Sequence, residues 1–334
     1  MPDSVDLHQV ATTLVSGARG ILAADESIAT MSTRLEGEGV APTESNRRDY
    51  RELLLTAPDL SRTVSGIILC DETFHQEVSD GTAFPLAARR LGILPGVKVD
   101  AGVVPFAGAS RATVTQGLDN LSARLEEYST QGAAFAKWRA VIDVADPNEG
   151  ALEANAAALA EYALACQQNG IVPIVEPEVL CSGAHDLSAC AEVTTAALMT
   201  VFDHLEGRDV DLGAIVLKPN LVTQGLSSSD TTTSPLVVAE ATLAVLRSTV
   251  PMTVPGIAFL SGGHPNTDAC DYLAAVNQLA GDAPWQLTYS FGRALVSDAL
   301  HAWGGERNRV SAAQQLLLEN CERASRATRR AVAA

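Results

Sequence analysis

Gln167-Gln-Asn-Gly-Ile-Val-Pro-Ile-Val-Glu-Pro-Glu178 is the stretch from which the fold can be read. Asn169-Gly170 ends the Ala-rich segment 151–168, because glycine takes the left-handed conformation that closes a helix. Ile171-Val-Pro-Ile-Val175 is then a short apolar run of strand length with β-branched side chains. Glu176 and Glu178 stand at its far end. The same order of helix, turn, apolar strand and polar end recurs in both directions along the chain.

Upstream, the apolar runs are Gly20-Ile-Leu-Ala-Ala24, Gly66-Ile-Ile-Leu-Cys70, Gly96 to Val99 and Ala134 to Val141. Downstream they are Ala214-Ile-Val-Leu217, Gly256-Ile-Ala-Phe-Leu260 and Trp285-Gln-Leu-Thr-Tyr289. Between them the sequence predicts helices over 151–168, over 186–205 (starting at Asp186, stopping before Gly207) and over 235–249. Ser234 caps the last of these and Pro235 fits its first turn. Parallel strands need helical crossovers, so eight strand–helix alternations predict an α/β fold, a single (β/α)8 TIM barrel. The whole chain, 1–334, is read as one domain. The barrel covers about 18–305, with added helices at about 3–16 and about 311–329.

The residues at the C-terminal ends of the runs point to the site. They are Asp25; Asp71 and Glu72; Lys98 and Asp100; Lys137 and Arg139; Glu176 and Glu178; Lys218 and Asn220; Ser261-Gly262-Gly263; and Ser290 with Gly292-Arg293. A barrel gathers all eight ends on one face, where barrel enzymes do their chemistry. The lysine count sharpens this. Of 23 basic residues only Lys98, Lys137 and Lys218 are lysines, and all three fall at such ends. A guanidinium with a pKa above about 12 cannot replace an amine that must lose its proton and attack carbon. Burial and a neighbouring cation both lower an amine's pKa, so Lys137 and Lys218 are expected to depress each other. Glu176 is the complementary proton shuttle and Asp25 a second base. Two amines with two or three carboxylates fit Schiff-base chemistry on a ketone. Ser261-Gly262-Gly263 and Gly292-Arg293 each precede a predicted helix, at the loops where barrels commonly bind phosphate.

Composition excludes other classes. The formal net charge of -17 repels nucleic acid and anionic membranes, so neither is expected as a partner. No apolar stretch reaches the roughly 18–20 residues that span a bilayer, and the acidic start is no signal peptide, so a cytoplasmic location is expected. The six cysteines form no C-x-x-C pair and read as reduced, buried thiols. The six histidines are dispersed, so no metal site is expected. The polar segment from Gln224 to Ser234 reads as a solvated loop.

Several motifs resemble one family. They are Gly20-Ile-Leu-Ala-Ala-Asp-Glu-Ser27, Asn46-Arg-Arg48 with Leu53-Leu-Leu-Thr-Ala57, Lys98-Val-Asp100 and Phe135-Ala-Lys-Trp-Arg139. Gln167 to Glu178, Leu217-Lys-Pro-Asn220, Phe259-Leu-Ser-Gly-Gly263, Gly292-Arg-Ala-Leu295 and Ala302-Trp-Gly-Gly305 continue the series. From about residue 15 to about 320 the chain resembles the class I fructose-1,6-bisphosphate aldolases. The resemblance implies reversible cleavage of fructose 1,6-bisphosphate to dihydroxyacetone phosphate and glyceraldehyde 3-phosphate, without metal or other cofactor. It implies that Lys218 forms the imine, that Glu176 moves protons, that Lys137 balances charge and that Asp25 takes the C4 hydroxyl proton. Glu178 joins this catalytic group. Ser261, Gly262, Gly292, Arg293 and Arg34 are implied at the C1 phosphate end, Ser27, Thr30, Lys98 and Arg139 at the C6 end, and Gly263 and Ser290 join the substrate- and phosphate-binding residues. A homo-oligomer, usually a tetramer, is implied as well.

The sequence departs from the family in places. Phe291 stands where a tyrosine is common, Thr33 where a lysine is common and Thr30 where a serine is common, and no tyrosine follows Tyr289. These changes imply a differently assisted protonation of the enamine. The alternatives are another Schiff-base aldolase or transaldolase, a zinc-dependent aldolase, or a non-catalytic sugar-phosphate scaffold. Two phosphate grips argue against the first, dispersed histidines against the second and an intact imine set against the third.

Overall fold

A computed structural model describes residues 6–229 and 233–330. The elements in chain order are α1 (Leu7–Val15), β1 (Gly20–Ala24), α2 (Ile28–Gly37), α3 (Glu44–Leu55), β2 (Val64–Leu69), α4 (Asp71–Phe74), α5 (Phe84–Arg90) and β3 (Leu94–Lys98). A hairpin, β4 (Val103–Pro105) and β5 (Thr113–Thr115), comes next, then α6 (Leu121–Thr130), β6 (Phe135–Ile142), α7 (Glu149–Gln168) and β7 (Val172–Val179). The chain continues through α8 (Leu187–Gly207), β8 (Val216–Leu217), α9 (Pro235–Thr249), β9 (Gly256–Phe259), α10 (Asn266–Leu279), β10 (Gln286–Phe291), α11 (Arg293–Trp303) and α12 (Val310–Ala327).

Eight strands close a parallel barrel in the order β1-β10-β9-β8-β7-β6-β3-β2. Every run expected to be a strand holds one, although the run 214–217 is strand only at Val216–Leu217, Ala214 closing a short 3-10 turn. The antiparallel β4–β5 pair is an addition that the sequence reading did not contain. Two helix limits also move: α7 begins at Glu149 rather than at 151, and α8 ends later than expected. α8 runs through Gly207 rather than stopping before it, and the chain turns instead at Asp209, whose φ of 55° is the left-handed conformation aspartate tolerates. The terminal helices are α1 and α12, slightly shorter than expected; residues 3–5 of the first lie outside the described residues.

Strand alternation sorts the side chains into two cores. Leu22, Ile67, Leu69, Trp138, Val175, Leu217 and Phe259 face outward and pack under the helices. Ile21, Ala23, Ile68, Phe135, Ile174, Val216 and Ala258 face into the barrel, joined by Ala11, Leu14 and Val15 of α1, which plugs the N-terminal end. Gly96 is required there: a Cβ would lie 2.2 Å from the Phe135 ring that fills the interior. The inward parity then carries past the apolar layer. Two residues after Ala23, Gly96, Phe135, Ile174 and Val216 come Asp25, Lys98, Lys137, Glu176 and Lys218. The fold thus aims the charged set at the barrel's mouth by the same alternation that builds its interior.

Strand β2 breaks this pattern. Its next inward position after Ile68 is Cys70, and α4 begins at Asp71. Asp71 accepts a hydrogen bond from the Tyr128 hydroxyl at 2.5 Å, and Glu72 is paired with Arg47 at 2.5 Å. Both carboxylates therefore serve packing between helices rather than the mouth, and seven strand ends supply the site instead of eight.

Candidate active site

The mouth of the barrel holds a cavity of about 360 Å³. Asp25, Ser27, Thr30, Arg34, Lys98, Lys137, Arg139, Glu176, Glu178, Lys218, Ser261, Gly262, Gly263, Ser290, Gly292 and Arg293 all line it, so the residues expected to act on or hold the substrate are brought to one place, while Asp71 and Glu72 are not. Ala23, Glu26, Asp100, Gly102, Val103 and Leu260 line it as well. Asn220 does not. Its buried amide bridges Val179 N, Thr194 and the Leu221 carbonyl. It thereby continues the contact between β7 and the chain after β8, where Pro219 offers no N–H.

Four groups at the floor form one buried chain of charge. Lys218 Nζ lies 3.0 Å from Glu176 Oε1, and Lys137 Nζ lies 3.1 Å from Glu176 Oε2 and 2.6 Å from Asp25 Oδ2. Both lysine side chains are 4% exposed. Burial alone pushes the Asp25 carboxyl up, but the charges of Lys137 and Lys218 outweigh it and hold the group at about 2. Glu176 is likewise held below its ordinary value, burial being outweighed by Lys137, Lys218 and Arg139.

Lys137 departs from expectation. Burial favours its neutral form, yet Asp25 and Glu176 raise it above an ordinary lysine, so it is a fixed ammonium. The sequence reading placed two cations in mutual repulsion. The structure places a carboxylate between them, and that reverses the sign for Lys137.

The outer parts of the cavity are also paired. Lys98 Nζ meets Asp100 Oδ1 at 2.5 Å, Arg139 pairs with Glu178, and Arg34 pairs with Glu26. Burial opposes the Arg139 charge, but Glu178 more than restores it and lifts the group above its ordinary value. Arg293 has no carboxylate partner among the described residues. Ser27 caps α2, accepting from Thr30 N at 3.2 Å, and its hydroxyl meets that of Thr30 at 3.0 Å. Ser290 Oγ is buried and has no hydrogen-bond partner, so the wall offers an unfilled polar atom. Gly262 and Gly263 have φ of +57° and +94°, and a Cβ on Gly262 would lie 2.4 Å from Cys181 Sγ. Only glycine lets this turn bring its backbone N–H groups to the cavity.

Near the rim, the segment after Lys218 is docked where it is described. Gly225, Leu226 and Ser227 donate backbone hydrogen bonds to His185, Cys181 and Gly183. The described part is a loop exposed at Leu226, Ser227 and Ser229, as expected, but pinned at its start by these bonds; positions 230–232 of that segment lie outside the described residues. All six cysteines are free and buried. Among the described residues, no group of three or more His, Cys, Asp or Glu side chains is set to hold a metal ion. No described helix is long and apolar enough to cross a membrane.

Comparison with known proteins bears on this geometry. The family model "Fructose-bisphosphate aldolase class-I" matches residues 6–333. The chain belongs to the class I fructose-bisphosphate aldolases. It is 46% identical over 325 residues to fructose-bisphosphate aldolase 5, cytosolic, of Arabidopsis thaliana, covering 97% of this chain and 90% of that relative. It is 46% identical over 319 residues to a probable class 1 fructose-bisphosphate aldolase of Xanthomonas campestris, covering 95% of each. Among solved structures, it superposes with a TM-score of 0.94 and 40% identity on the Plasmodium falciparum fructose-bisphosphate aldolase, solved in complex with TRAP and a small-molecule inhibitor. That match covers 98% of this chain and 95% of the other. The aldolase family therefore spans the entire described barrel, including all seven strand ends that build the cavity.

Proposed function

We propose that this aldolase cleaves fructose 1,6-bisphosphate reversibly to dihydroxyacetone phosphate and glyceraldehyde 3-phosphate, a step of glycolysis and gluconeogenesis, through an imine on Lys218. It is a carbon–carbon lyase working as one barrel domain. The observation that carries the reading is the buried chain Lys218–Glu176–Lys137–Asp25 at the barrel's mouth. An amine attacks a carbonyl only when neutral, and Glu176 at 3.0 Å is the base within reach of the Lys218 proton. The same carboxyl returns a proton to the carbinolamine oxygen, which leaves as water and yields the protonated imine. Lys137, held as an ammonium, keeps Glu176 and Asp25 ionised between these transfers.

Asp25 then takes the proton of the C4 hydroxyl. The C3–C4 pair of electrons flows into the imine, the C4 aldehyde departs, and an enamine remains on Lys218. Protonation at C3 and hydrolysis release dihydroxyacetone phosphate. No metal is needed, because the imine nitrogen is the electron sink. Ser261, Gly262, Gly263, Ser290, Gly292, Arg293 and Arg34 hold the C1 phosphate; Ser27, Thr30, Lys98 and Arg139 hold the C6 phosphate, with Glu178 positioning Arg139. Gripping both ends lays the middle of the chain over Lys218 and Asp25, which supplies part of the rate. We place the protein in the cytosol, as for its relatives named cytosolic, and as a homotetramer in keeping with the family.

Borohydride reduction in the presence of dihydroxyacetone phosphate, followed by peptide mapping, tests the reading. The substrate mass is expected on Lys218 with loss of activity, and EDTA is expected to leave cleavage untouched. Substrate mass on another residue, or inactivation by EDTA, refutes it.

A further inference from the structure

We propose that Arg51 is a positioning residue for the cleavage step, fixing the backbone from which Asp25 reaches the substrate. The inference rests on the reading of Asp25 as the acceptor of the C4 hydroxyl proton.

Arg51 is a fully buried cation, 0% exposed, on α3. Its Nε donates to the Ala24 carbonyl at 3.0 Å and its Nη2 to the Glu26 carbonyl at 2.8 Å. Nη2 also lies 3.7 Å from Glu26 Oε2, while Nη1 is buried with no hydrogen-bond partner. Burying a guanidinium with one nitrogen unsatisfied is unfavourable, and a neutral apolar side chain fills such a space more stably. The arrangement is explained by what the two carbonyls bracket. Ala24 is the last residue of β1, and Ser27 is the N-cap of α2. The link between strand and helix is Asp25-Glu26 alone, so one planar fork clamps the peptide that enters this pair, at the Ala24 carbonyl, and the peptide that leaves it, at the Glu26 carbonyl.

The clamp is itself anchored. The neighbouring Tyr50 hydroxyl donates to the Val296 carbonyl at 3.0 Å, tying α3 to α11. Asp25 is therefore held at both ends: its carboxylate by Lys137 at 2.6 Å, and its main chain by Arg51. Lysine keeps the charge of arginine but is a single donor point, and it cannot span two carbonyls in fixed geometry. Arg51 touches no reacting atom in this scheme. It acts through Asp25, whose aim the C3–C4 cleavage needs and imine formation does not.

The test compares two steps in the full-length variants Arg51→Lys and Asp25→Asn. In Arg51→Lys, kcat for fructose 1,6-bisphosphate cleavage is expected to fall about 10²-fold, the scale of an ångström-level misplacement. KM and the rate of borohydride trapping with dihydroxyacetone phosphate are expected to stay at wild-type values. Trapping also reports whether the barrel has folded, because it needs the buried Lys218–Glu176 pair. Cleavage at the wild-type rate, or trapping that falls in step with cleavage, overturns the proposal. Asp25→Asn separates the two layers. If it still cleaves, the reading of Asp25 fails; if it is inactive while Arg51→Lys cleaves normally, only the role of Arg51 fails.

Discussion

Replacing Lys137 by methionine removes the ammonium that sits between two buried carboxylates while keeping most of the side-chain volume. At 2.6 Å and an effective dielectric of about 20, its attraction to Asp25 is about 6 kcal/mol, and at 3.1 Å its attraction to Glu176 is about 5 kcal/mol. These gross attractions are set against the desolvation of all three charges. Removing one partner of such a buried arrangement has a net cost of about 3–5 kcal/mol, because the surviving charges stay buried.

The loss has a definite pH signature. In the wild type the carboxyls of Asp25 and Glu176 are depressed, so they stabilise the fold above their ordinary values of 3.8 and 4.5. That contribution is lost as pH falls below those values, for Asp25 toward about 2. In Lys137→Met the largest influence that lowers both groups is gone, so burial moves both upward and the folded variant takes up protons more readily than the folded wild type. The stability gap is therefore largest at pH 7 and narrows as pH falls to 5. Urea denaturation at both pH values measures it, and cleavage at pH 7 is expected to drop about 10²- to 10³-fold. A variant as stable as wild type at pH 7, or a gap that is the same at pH 5, refutes the argument.

Four further substitutions probe other parts of the cavity. Lys218→Arg retains the charge but not the nucleophile, so trapping by borohydride and cleavage should both vanish; mass spectrometry checks the first and an aldehyde-coupled assay the second. Gly262→Ala forces a Cβ against Cys181 Sγ at a φ of +57°, and urea denaturation should show a loss of about 1–3 kcal/mol together with a raised KM. Arg293→Ala should raise KM about tenfold to a hundredfold, the scale of a charge-assisted hydrogen bond, for both fructose 1,6-bisphosphate and fructose 1-phosphate. Lys98→Met should weaken only the bisphosphate, and steady-state kinetics on the pair of substrates distinguishes the two grips.

The barrel was legible because its strands are unbroken apolar runs whose inward parity ends in charge. The β4–β5 hairpin was not legible, because Val103–Pro105 and Thr113–Thr115 are three-residue strands, too short to show a period, and the apolar run Val103-Val-Pro-Phe-Ala107 is broken by a proline. Gly102, Gly108 and Gly117, all at positive φ, were the available sign of a tight excursion. Asp71 and Glu72 look like the other strand ends until α4 turns them away at once. Arg51 was not singled out, though a signal existed. In α3, Arg47, Tyr50, Arg51 and Leu54 fall at the spacing of one helix face, and all four are buried. The sign of the effect on Lys137 was beyond a reading of types and spacing, because it depends on which side chain lies between the two lysines.

The confinement of Lys98, Lys137 and Lys218 to a single cavity leaves the outer surface of this protein without a lysine. Amine-directed reagents, which coat ordinary proteins at random, have no lysine here to react with except those of the cavity. An acylating dye that modifies a lysine at all must therefore do so inside the cavity, and Lys98, whose side chain is 21% exposed against 4% for the other two, is the first it meets. Bound sugar phosphate should shield those amines, and any enzyme tethered through a lysine is tethered through its own mouth.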